Sequence, residues 1–159
     1  MVRFAVFVIF GFAAMEAFSY AVHRFLFHGI LWRIHRTHHE PRKFFLEAND
    51  VFSLIFALAS IGLMAFAAEP LLNSIAFPIG LGIAIFGFVY FIVHDFFTHR
   101  RLPFNFNSKI LLAVRAAHQR HHQTTEKIGV EPFGLFVFDY AKFGGKTTTK
   151  RHEETRIKT

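Results

Sequence analysis

Histidine is the residue whose number and spacing in this chain could support chemistry, with 11 in 159 residues. Ten of them form two copies of one pattern, in which a His-x4-His pair is followed by a His-x2-His-His triplet. The first copy is His23, His28, His35, His38 and His39, and the second is His94, His99, His118, His121 and His122. So many imidazoles would repel one another when protonated and would each need a partner when buried neutral. The duplicated pattern therefore predicts a metal centre, and His152, which lies outside it, is expected to be idle.

The spacing within each copy indicates how the histidines point. On an α-helix, positions i, i+3 and i+4 lie within about 100° of arc, so each triplet turns three imidazoles to one side. Positions i and i+5 diverge by about 140°, which suits two metals, or a helix that is ending, better than one shared metal. The sequence therefore predicts two metal ions, and the spacing leaves open how the ligands divide between them.

The ligand type narrows the choice of metal without deciding it, because imidazole binds Zn, Cu, Fe and Ni alike. A hydrolytic zinc site needs only about three protein ligands, and the histidines in this pattern exceed that demand. Two iron ions that share the histidines and keep open positions for dioxygen use the count better, and they would oxidise unactivated C–H bonds. The chain has no Cys, which excludes iron–sulfur clusters, thiolate-ligated haem and zinc ribbons.

The elements that must position these histidines are apolar. Hydrophobic residues make up 53% of the chain, and 24 residues are Phe. Three apolar runs, 4–22, 51–68 and 71–93, approach or exceed the ~18–20 residues that cross a bilayer as helix. A cleavable signal peptide is the alternative for the first run. The expected fold is an all-α integral membrane protein with about three transmembrane helices, plus cytoplasmic and interfacial helices that carry the dimetal site.

Charge predicts the orientation of the spans. A turn at residues 69–73 returns the chain, so the segments 23–50 and 94–159 lie on one side of the membrane. These segments hold 17 of the 18 Lys and Arg residues, and short loops rich in these cations stay in the cytoplasm. We therefore expect the His motifs and the C-terminus to face the cytoplasm.

A single membrane-embedded domain is expected over residues 1–145, because the chain length is about one domain's worth. A helix over 108–122 is too short in apolar length to span the bilayer, and a short apolar run at 133–138 is interpreted as a re-entrant or interfacial anchor. The polar tail 146–159, which holds His152, buries too little apolar surface to order itself.

Two carboxylates are candidates for orienting the metal ligands. Asp95 lies four residues before His99, so it could accept a hydrogen bond from the free imidazole N–H of that ring. The alternative for Asp95 is a carboxylate solvated at the membrane interface. Glu16 lies seven residues before His23 inside an apolar run, where an ionisable group needs a partner, either a ligand histidine or a basic side chain.

Polar residues between the first histidine triplet and the second apolar run have structural interpretations. Asn49 and Asp50 directly precede that run, and for Asp50 a role as N-cap and helix-dipole partner is favoured over a metal role. Glu40, Arg42 and Glu47 could form an ion-pair network that locks the first His helix. Lipid phosphate is the alternative partner for Arg42.

Five motifs together carry a resemblance to a known family: HRFLFHG at 23–29, HRTHHEPR at 35–42, EAND at 47–50, HDFFTHR at 94–100 and AHQRHH at 117–122. The combination resembles the bacterial β-carotene 3-hydroxylases, the small non-haem diiron branch of the membrane fatty acid hydroxylase superfamily. The resemblance extends over about residues 14–136. The chain departs from the family at Glu131 and Pro132, just before Phe133 and Gly134, where a small residue is expected.

This resemblance implies roles that spacing alone does not give. The ten motif histidines would hold two iron ions, with dioxygen as co-substrate. The reaction would hydroxylate carbon 3 of β-ionone rings, from β-carotene to β-cryptoxanthin and then to zeaxanthin. Small residues along the third run, at Ala76, Gly80, Gly82, Ala84 and Gly87, then predict either close helix packing or an opening for a flat polyene.

An external reduced ferredoxin is the expected electron donor, because the chain has no Cys and no GxGxxG fingerprint. The segments predicted to be cytoplasmic hold 17 Lys and Arg residues against nine Asp and Glu residues. This excess of positive charge would attract an acidic ferredoxin. Basic flanks also simply orient membrane proteins, so the charge alone does not establish the partner.

Two alternatives stay open for the function. A fatty acid or sterol hydroxylase or desaturase would use the same chemistry on another apolar substrate. A His-rich membrane metal-binding or transport protein belongs to a different class, and it would place histidines inside the spans along a pathway. Here the ten histidines lie at the predicted ends of the spans or beyond them.

Overall fold

The computed structural model describes residues 1–41, 44–67, 73–102 and 107–144, and within them the chain is helical. The helices are α1 (Val2–Ala21) with its π-helical continuation π1 (Val22–Ile30), α2 (Trp32–His39), α3 (Asp50–Ala65), α4 (Ala76–Tyr90) with its π-helical continuation π2 (Phe91–Thr98), α5 (Lys109–His121) and α6 (Tyr140–Gly144). Arg42, most of the turn predicted at 69–73 and the polar tail with His152 lie outside the described residues.

Two of the three predicted spans are present as long apolar helices, and the third is not confirmed. Val2–Ile30 and Ala76–Thr98 have 29 and 23 residues and are long and apolar enough to cross a membrane. Both continue past the predicted ends at 22 and 93 because their apolar residues continue between the histidines. The apolar helix α3 has 16 residues, about 24 Å at ~1.5 Å per residue, which is shorter than a hydrocarbon core of about 30 Å.

Glycines set the distance between α1 and α4, which pack against each other. A Cβ atom added at Gly82 would collide with the carbonyl oxygen of Val8, and one added at Gly11 would collide with the carbonyl oxygen of Ile79. The two helix backbones therefore approach closely enough to exclude any side chain at these positions. The packing interpretation of Gly82 is correct.

Small residues of α4 are in close contact with α3 at Gly80 but not at Gly87. The Ser60 hydroxyl donates a hydrogen bond of 2.8 Å to the Gly80 carbonyl, and a Cβ atom at Gly80 would lie 2.9 Å from the side chain of Met64. At Gly87, by contrast, an added Cβ atom would meet no described atom within 4 Å. The helices are thus in close contact near Gly80 and separate towards Gly87.

The π-helical ends of the two long helices change how the His-x4-His pairs point. A π-helix closes hydrogen bonds between residues i and i+5, so residues five apart lie roughly above one another. The His99 amide donates such a bond to the His94 carbonyl at 2.9 Å. The expected divergence of 140° assumed α-helical geometry. It is wrong for His23 with His28 and for His94 with His99, because both pairs lie on π-helical turns.

The end of the bundle where π1 and π2 finish is covered by α2, α5 and the chain that follows α5. Helix α5 confirms the helix predicted over 108–122 and packs against π2. The run at 133–138 is irregular and forms no span, as predicted. Its buried Leu135 packs with Val93 of π2 and Val114 of α5. Both copies of the histidine pattern therefore meet at one end of the molecule.

Candidate metal centre

All ten motif histidines come together at this end of the bundle. Two groups could each hold a metal ion: the first is His23, His28, His35, His39 and His121, and the second is His38, His94, His99 and His118. Within each group the ligand nitrogens lie within 4.8 Å of one another. The ring centroid of His122 lies 4.3 Å from that of His39 and 4.5 Å from that of His118. Its Nε2 is buried and has no hydrogen-bond partner among the described residues, a cost that a metal ion would relieve.

The division between the groups crosses the two copies of the sequence pattern. Neighbouring residues on an α-helix point about 100° apart, so His38 turns to the second group while His39 turns to the first. His121, from the second copy, joins the first group. Linear spacing could not reveal this division, because it depends on how α2 and α5 face each other at the end of the bundle.

Backbone carbonyls orient four rings of the first group through their Nδ1 atoms. The pairs are His23 with Phe133 at 2.7 Å, His28 with Lys127 at 2.9 Å, His39 with Thr124 at 3.0 Å and His121 with Val130 at 2.6 Å. A carbonyl oxygen only accepts hydrogen bonds, so each Nδ1 carries the proton and each Nε2 presents a lone pair. The chain from 124 to 133 therefore sets the tautomer of these four histidines.

Side chains from the segment before α3 orient two more rings. Asn49 Oδ1 accepts a hydrogen bond of 2.7 Å from Nδ1 of His35, and Glu47 Oε2 accepts one of 2.8 Å from Nδ1 of His38. Asn49 occupies the N-cap position of α3, but its side chain makes no cap bond to that helix. Its amide is instead used to hold a histidine of the other helix.

Asp95 lies beside His94, with 3.3 Å between its Oδ2 and Nδ1 of the ring. The sequence predicted a hydrogen bond between Asp95 and His99. That prediction is wrong, because the carboxylate contacts His94 instead. The reason is a buried cation, Arg101, whose Nε lies 3.0 Å from Asp95 Oδ1 and draws the carboxylate to that side. Asp95 is buried, which also excludes the alternative of a carboxylate solvated at the interface.

Arg101 forms ion pairs with carboxylates from two segments next to the second group. None of the sequence motifs includes this residue. It donates to both oxygens of Asp50, at 2.9 and 2.7 Å, and lies 3.5 Å from Glu47. Burial disfavours the guanidinium cation, but hydrogen bonds to Asp50 and the charges of Asp95 and Glu47 outweigh it and raise the pKa of Arg101. Asp50, expected as an N-cap, is instead its main partner. Its position directly after the HDFFTHR motif is the sequence feature that could have indicated a role for Arg101.

Glu16 supports the centre through the backbone rather than through a histidine. It is buried in α1, and its Oε1 accepts hydrogen bonds from the amides of Phe136 at 2.9 Å and Val137 at 3.0 Å. The expected partner was a ligand histidine or a basic side chain, and the structure places backbone amides there. By fixing this segment, Glu16 positions the Phe133 carbonyl that accepts the hydrogen bond from His23.

Burial keeps the histidines beyond the long helices neutral. It lowers the pKa of His35 and of His121 to about 3 and that of His39 to about 4, and neighbouring histidines add to the effect. Burial and neighbouring histidines also hold the pKa of His38 and of His118 well below 6.5. A neutral imidazole keeps its second nitrogen available to a metal ion at neutral pH.

The Nε2 atoms converge at distances that suit a shared metal. Five Nε2–Nε2 separations of 2.9 to 3.2 Å join His23 to His35, His35 to His39, His28 to His121, His38 to His94 and His99 to His118. Lone pairs at this separation repel, and a cation between them would replace repulsion by attraction. Two nitrogens about 2.1 Å from one metal are ~3.0 Å apart at a right angle and ~3.4 Å apart at the tetrahedral angle. These five separations are compatible with pairs of nitrogens that share one metal ion.

An apolar cavity of about 430 Å³ leads from the histidines into the bundle between α1, α3 and α4. The end of the cavity next to the candidate metal centre is formed by His23, His35, His38 and His94. Along α3 the lining residues run from Asn49 to Met64, a helical rise of about 22 Å. Ala84 and Gly87 line the α4 side. These two small residues therefore border an opening, unlike Gly82, which makes a helix contact.

Removing the acceptor of His38 is expected to weaken metal binding. In Glu47→Ala the ring loses its hydrogen bond and its fixed tautomer, so we expect roughly 10- to 100-fold lower metal affinity. Iron retained by the detergent-solubilised protein against graded chelator measures this. Glu40→Ala is the matched control, because Glu40 is exposed and pairs with Arg36 at the outer face of α2. Equal retention by the two variants would contradict the role of Glu47.

The lowered histidine pKa values predict that the metal-free protein loses stability in acid. Unfolded histidines titrate near 6.5, so below that pH the unfolded state binds more protons than the folded state. Each histidine with a folded pKa of about 3 to 4 should therefore cost about 2 kcal/mol between pH 6.5 and 5. The thermal unfolding midpoint of the metal-free protein, followed from pH 7.5 to 5, should fall. A midpoint that stays level or rises would show that these rings are already protonated or exposed.

Comparison with known proteins gives a family and named relatives. The chain matches the fatty acid hydroxylase family over residues 8–143. It is 39% identical over 150 residues to β-carotene 3-hydroxylase 2, chloroplastic, of Arabidopsis thaliana, covering 91% of this chain and 49% of that protein. It is 36% identical over 140 residues to the β-carotene hydroxylase of Pseudescherichia vulneris, covering 85% of this chain and 75% of that protein. The β-carotene hydroxylase of Pantoea ananas is 35% identical over 126 residues, covering 76% and 69%.

The share of the relative's length that the chain covers differs between the plant and the bacterial proteins. The chain spans about half the length of the plant relatives that it matches, and more than two thirds of the length of the two bacterial ones. No solved structure matches it. The family match includes both copies of the histidine pattern and every residue that orients the rings. The chain therefore belongs to the fatty acid hydroxylase family and is a homologue of β-carotene hydroxylases.

Proposed function

We propose that this chain is a non-haem di-iron monooxygenase that hydroxylates carbon 3 of β-ionone rings, converting β-carotene to β-cryptoxanthin and then to zeaxanthin. The observation that carries the proposal is the junction between ten converging histidines and a long apolar cavity. The names of the relatives agree with it, since the bacterial and plant homologues are β-carotene hydroxylases.

The two histidine groups are the proposed holders of the iron ions. His23, His28, His35, His39 and His121 would bind one ion, and His38, His94, His99 and His118 the other, with His122 beside them. When bound, the two irons supply the activation of dioxygen that attack on an unactivated C–H bond requires. Overall, one C–H bond, one dioxygen, two electrons and two protons give one C–OH group and one water. The protein contributes fixed, neutral rings, whose Nδ1 protons are held by carbonyls, an amide and carboxylates.

The cavity supports an apolar substrate that arrives from the lipid. Three of its lining residues are also exposed: Ile61 on α3 is 56% exposed, Phe88 on α4 is 66% exposed and Phe91, the first residue of π2, is 42% exposed. In a bilayer these side chains contact acyl chains, so a carotenoid would enter sideways between α3 and α4. A flat ring would pass Gly87, where no side chain narrows the path, and then meet the histidines at the end of the cavity.

The length of the cavity supports two successive reactions on one carotenoid. Its lining along α3 extends for about 22 Å, which accommodates a ring with part of a polyene. Only one end of the cavity meets the histidines, so each binding event presents one ring to the centre. A mono-hydroxylated intermediate is therefore expected before the di-hydroxylated product.

The electron donor and the membrane orientation are part of the proposal. These 159 residues contain no Cys and no GxGxxG fingerprint, which supports delivery of electrons by an external reduced ferredoxin. The excess of Lys and Arg around the histidine motifs supports a cytoplasmic location for them and for the C-terminus in a bacterial inner membrane.

The reaction can be tested with membranes that contain the protein, ferrous iron, reduced ferredoxin and β-carotene under labelled dioxygen. We expect β-cryptoxanthin and then zeaxanthin, each hydroxyl carrying the label. His38→Ala should abolish turnover because it removes one proposed ligand, and His152→Ala should leave turnover unchanged. Unchanged carotene beside converted fatty acid would favour a fatty acid or sterol hydroxylase. Label arriving from water would exclude an oxygenase.

Filling the cavity beside α4 should block the substrate without affecting the metal. Gly87→Phe places a ring in the path between lipid and histidines, so we expect at least a tenfold loss of carotenoid turnover with normal iron content. Gly62→Phe is the matched control, because Gly62 also has open space around it and does not line the cavity. Product formation and bound iron are measured for both variants. Normal turnover by Gly87→Phe would place the substrate path elsewhere.

A further inference from the structure

The single Trp of the chain connects the protein surface with the first histidine group. Trp32 is the first residue of α2 and is half-buried. Its ring centroid lies 5.0 Å from that of His28 and 5.4 Å from that of His39. One side of the indole therefore packs on two histidines of the group while another part reaches solvent. No role in orienting a ring or lining the cavity accounts for this position.

Exposed cations lie on α2 and on the elements next to it. Arg33 and Arg36 lie on the outer face of α2, because His35, His38 and His39 occupy its inner face. Arg120 and Lys127, on the last turn of α5 and in the loop after it, are exposed as well. That loop is fixed next to α2 and π1, since its carbonyls at 124 and 127 accept hydrogen bonds from His39 and His28. We call Trp32, Arg33, Arg36, Arg120 and Lys127 the Trp32 face.

The charge of this face stays positive when its acidic neighbours are included. Glu40 pairs with Arg36 at 2.9 Å, and Glu126 is exposed in the loop. This face therefore carries four cations and two carboxylates. The face also lies outside both long apolar helices, Val2–Ile30 and Ala76–Thr98. A protein in the aqueous phase can approach it without entering lipid.

We infer that the Trp32 face is the docking surface for an acidic iron–sulfur protein that carries one electron at a time, with Trp32 as the ring that lies between the donor and the first histidine group. This inference rests on the proposed function, which needs two electrons per hydroxylation. Two successive dockings supply them, and each oxidises one reduced donor cluster by one electron. Charge complementarity favours this occupant, because a basic rim steers an acidic partner and orients it on the half-buried indole.

Charge reversal tests the docking surface. In Arg33→Glu/Arg120→Glu we expect the KM for a negatively charged [2Fe–2S] ferredoxin to rise roughly tenfold at low ionic strength, and the difference from wild type to shrink as salt is added. Turnover driven by dithionite should stay at the wild-type rate. The matched control is Lys109→Glu/Lys142→Glu, with the same change of charge at exposed positions outside the face. An equal rise in the control, or no rise in the Arg variant, would overturn the inference.

The role of Trp32 is tested by the rate at which ferredoxin reduces the iron-loaded protein. Trp32→Leu should slow this reduction at least tenfold with iron content unchanged, and Trp32→Phe, which keeps an aromatic ring, should restore most of the rate. A wild-type rate in Trp32→Leu would remove Trp32 from the path of the electron.

Two further outcomes separate this inference from its rivals. If the Arg33→Glu/Arg120→Glu variant loses binding to vesicles of anionic lipid but keeps its KM for ferredoxin, the face belongs to the membrane surface and the inference is wrong. If ferredoxin reduces the wild-type protein through this face but carotenoid is not converted, the docking surface is supported and the proposed substrate fails. The two proposals can thus fail independently.

Discussion

The constraint on which the rest of this structure depends is the convergence of neutral imidazole lone pairs. Five pairs of Nε2 atoms approach to 2.9–3.2 Å in a buried region. Without a cation such an arrangement is repulsive, and burial forbids the alternative of protonating the rings. The protein therefore holds rings from the other nitrogen. The carbonyls of residues 124–133 and the side chains of Asn49, Glu47 and Asp95 do this for seven of the ten rings. Rings fixed so firmly suit a resident metal better than one that is passed along a transport pathway.

The sequence was sufficient to predict which histidines cluster at one end of the bundle, because ten histidines in a repeated spacing have few explanations other than metal. It also predicted helix α5 and the helical, apolar character of the bundle. The 140° divergence predicted for the i, i+5 pairs is wrong, because it assumes 3.6 residues per turn where the chain is π-helical. The His-x4-His spacing itself indicates such a turn, since only a π-helix brings residues five apart close to one face. An α-helix ending in a π-helical turn lets one continuous apolar helix present two histidines to a single group.

Residues that hold the ligands were harder to predict because their partners are distant in sequence. An N-cap bond from Asp50 and a hydrogen bond between Asp95 and His99 were both reasonable local interpretations, and long-range contacts override each of them. Arg101 illustrates the reason. Its buried charge collects Asp50, Asp95 and Glu47 from two separate segments, and no local pattern encodes that assembly. The sequence does not indicate which backbone carbonyls accept hydrogen bonds from the rings, because every residue has a carbonyl.

Helix α3 links the metal centre with the substrate cavity. The residues at its start, Asn49 and Asp50, hold His35 and Arg101, while the rest of the same helix lines the cavity as far as Met64. The position of a substrate relative to the histidines is therefore set by one rigid element rather than by a flexible loop. Its 16 residues also make it shorter than its two neighbours, and its close contact with α4 is near Gly80, so the two helices separate towards the histidines. That separation leaves room for the apolar cavity, whose end is formed by histidines.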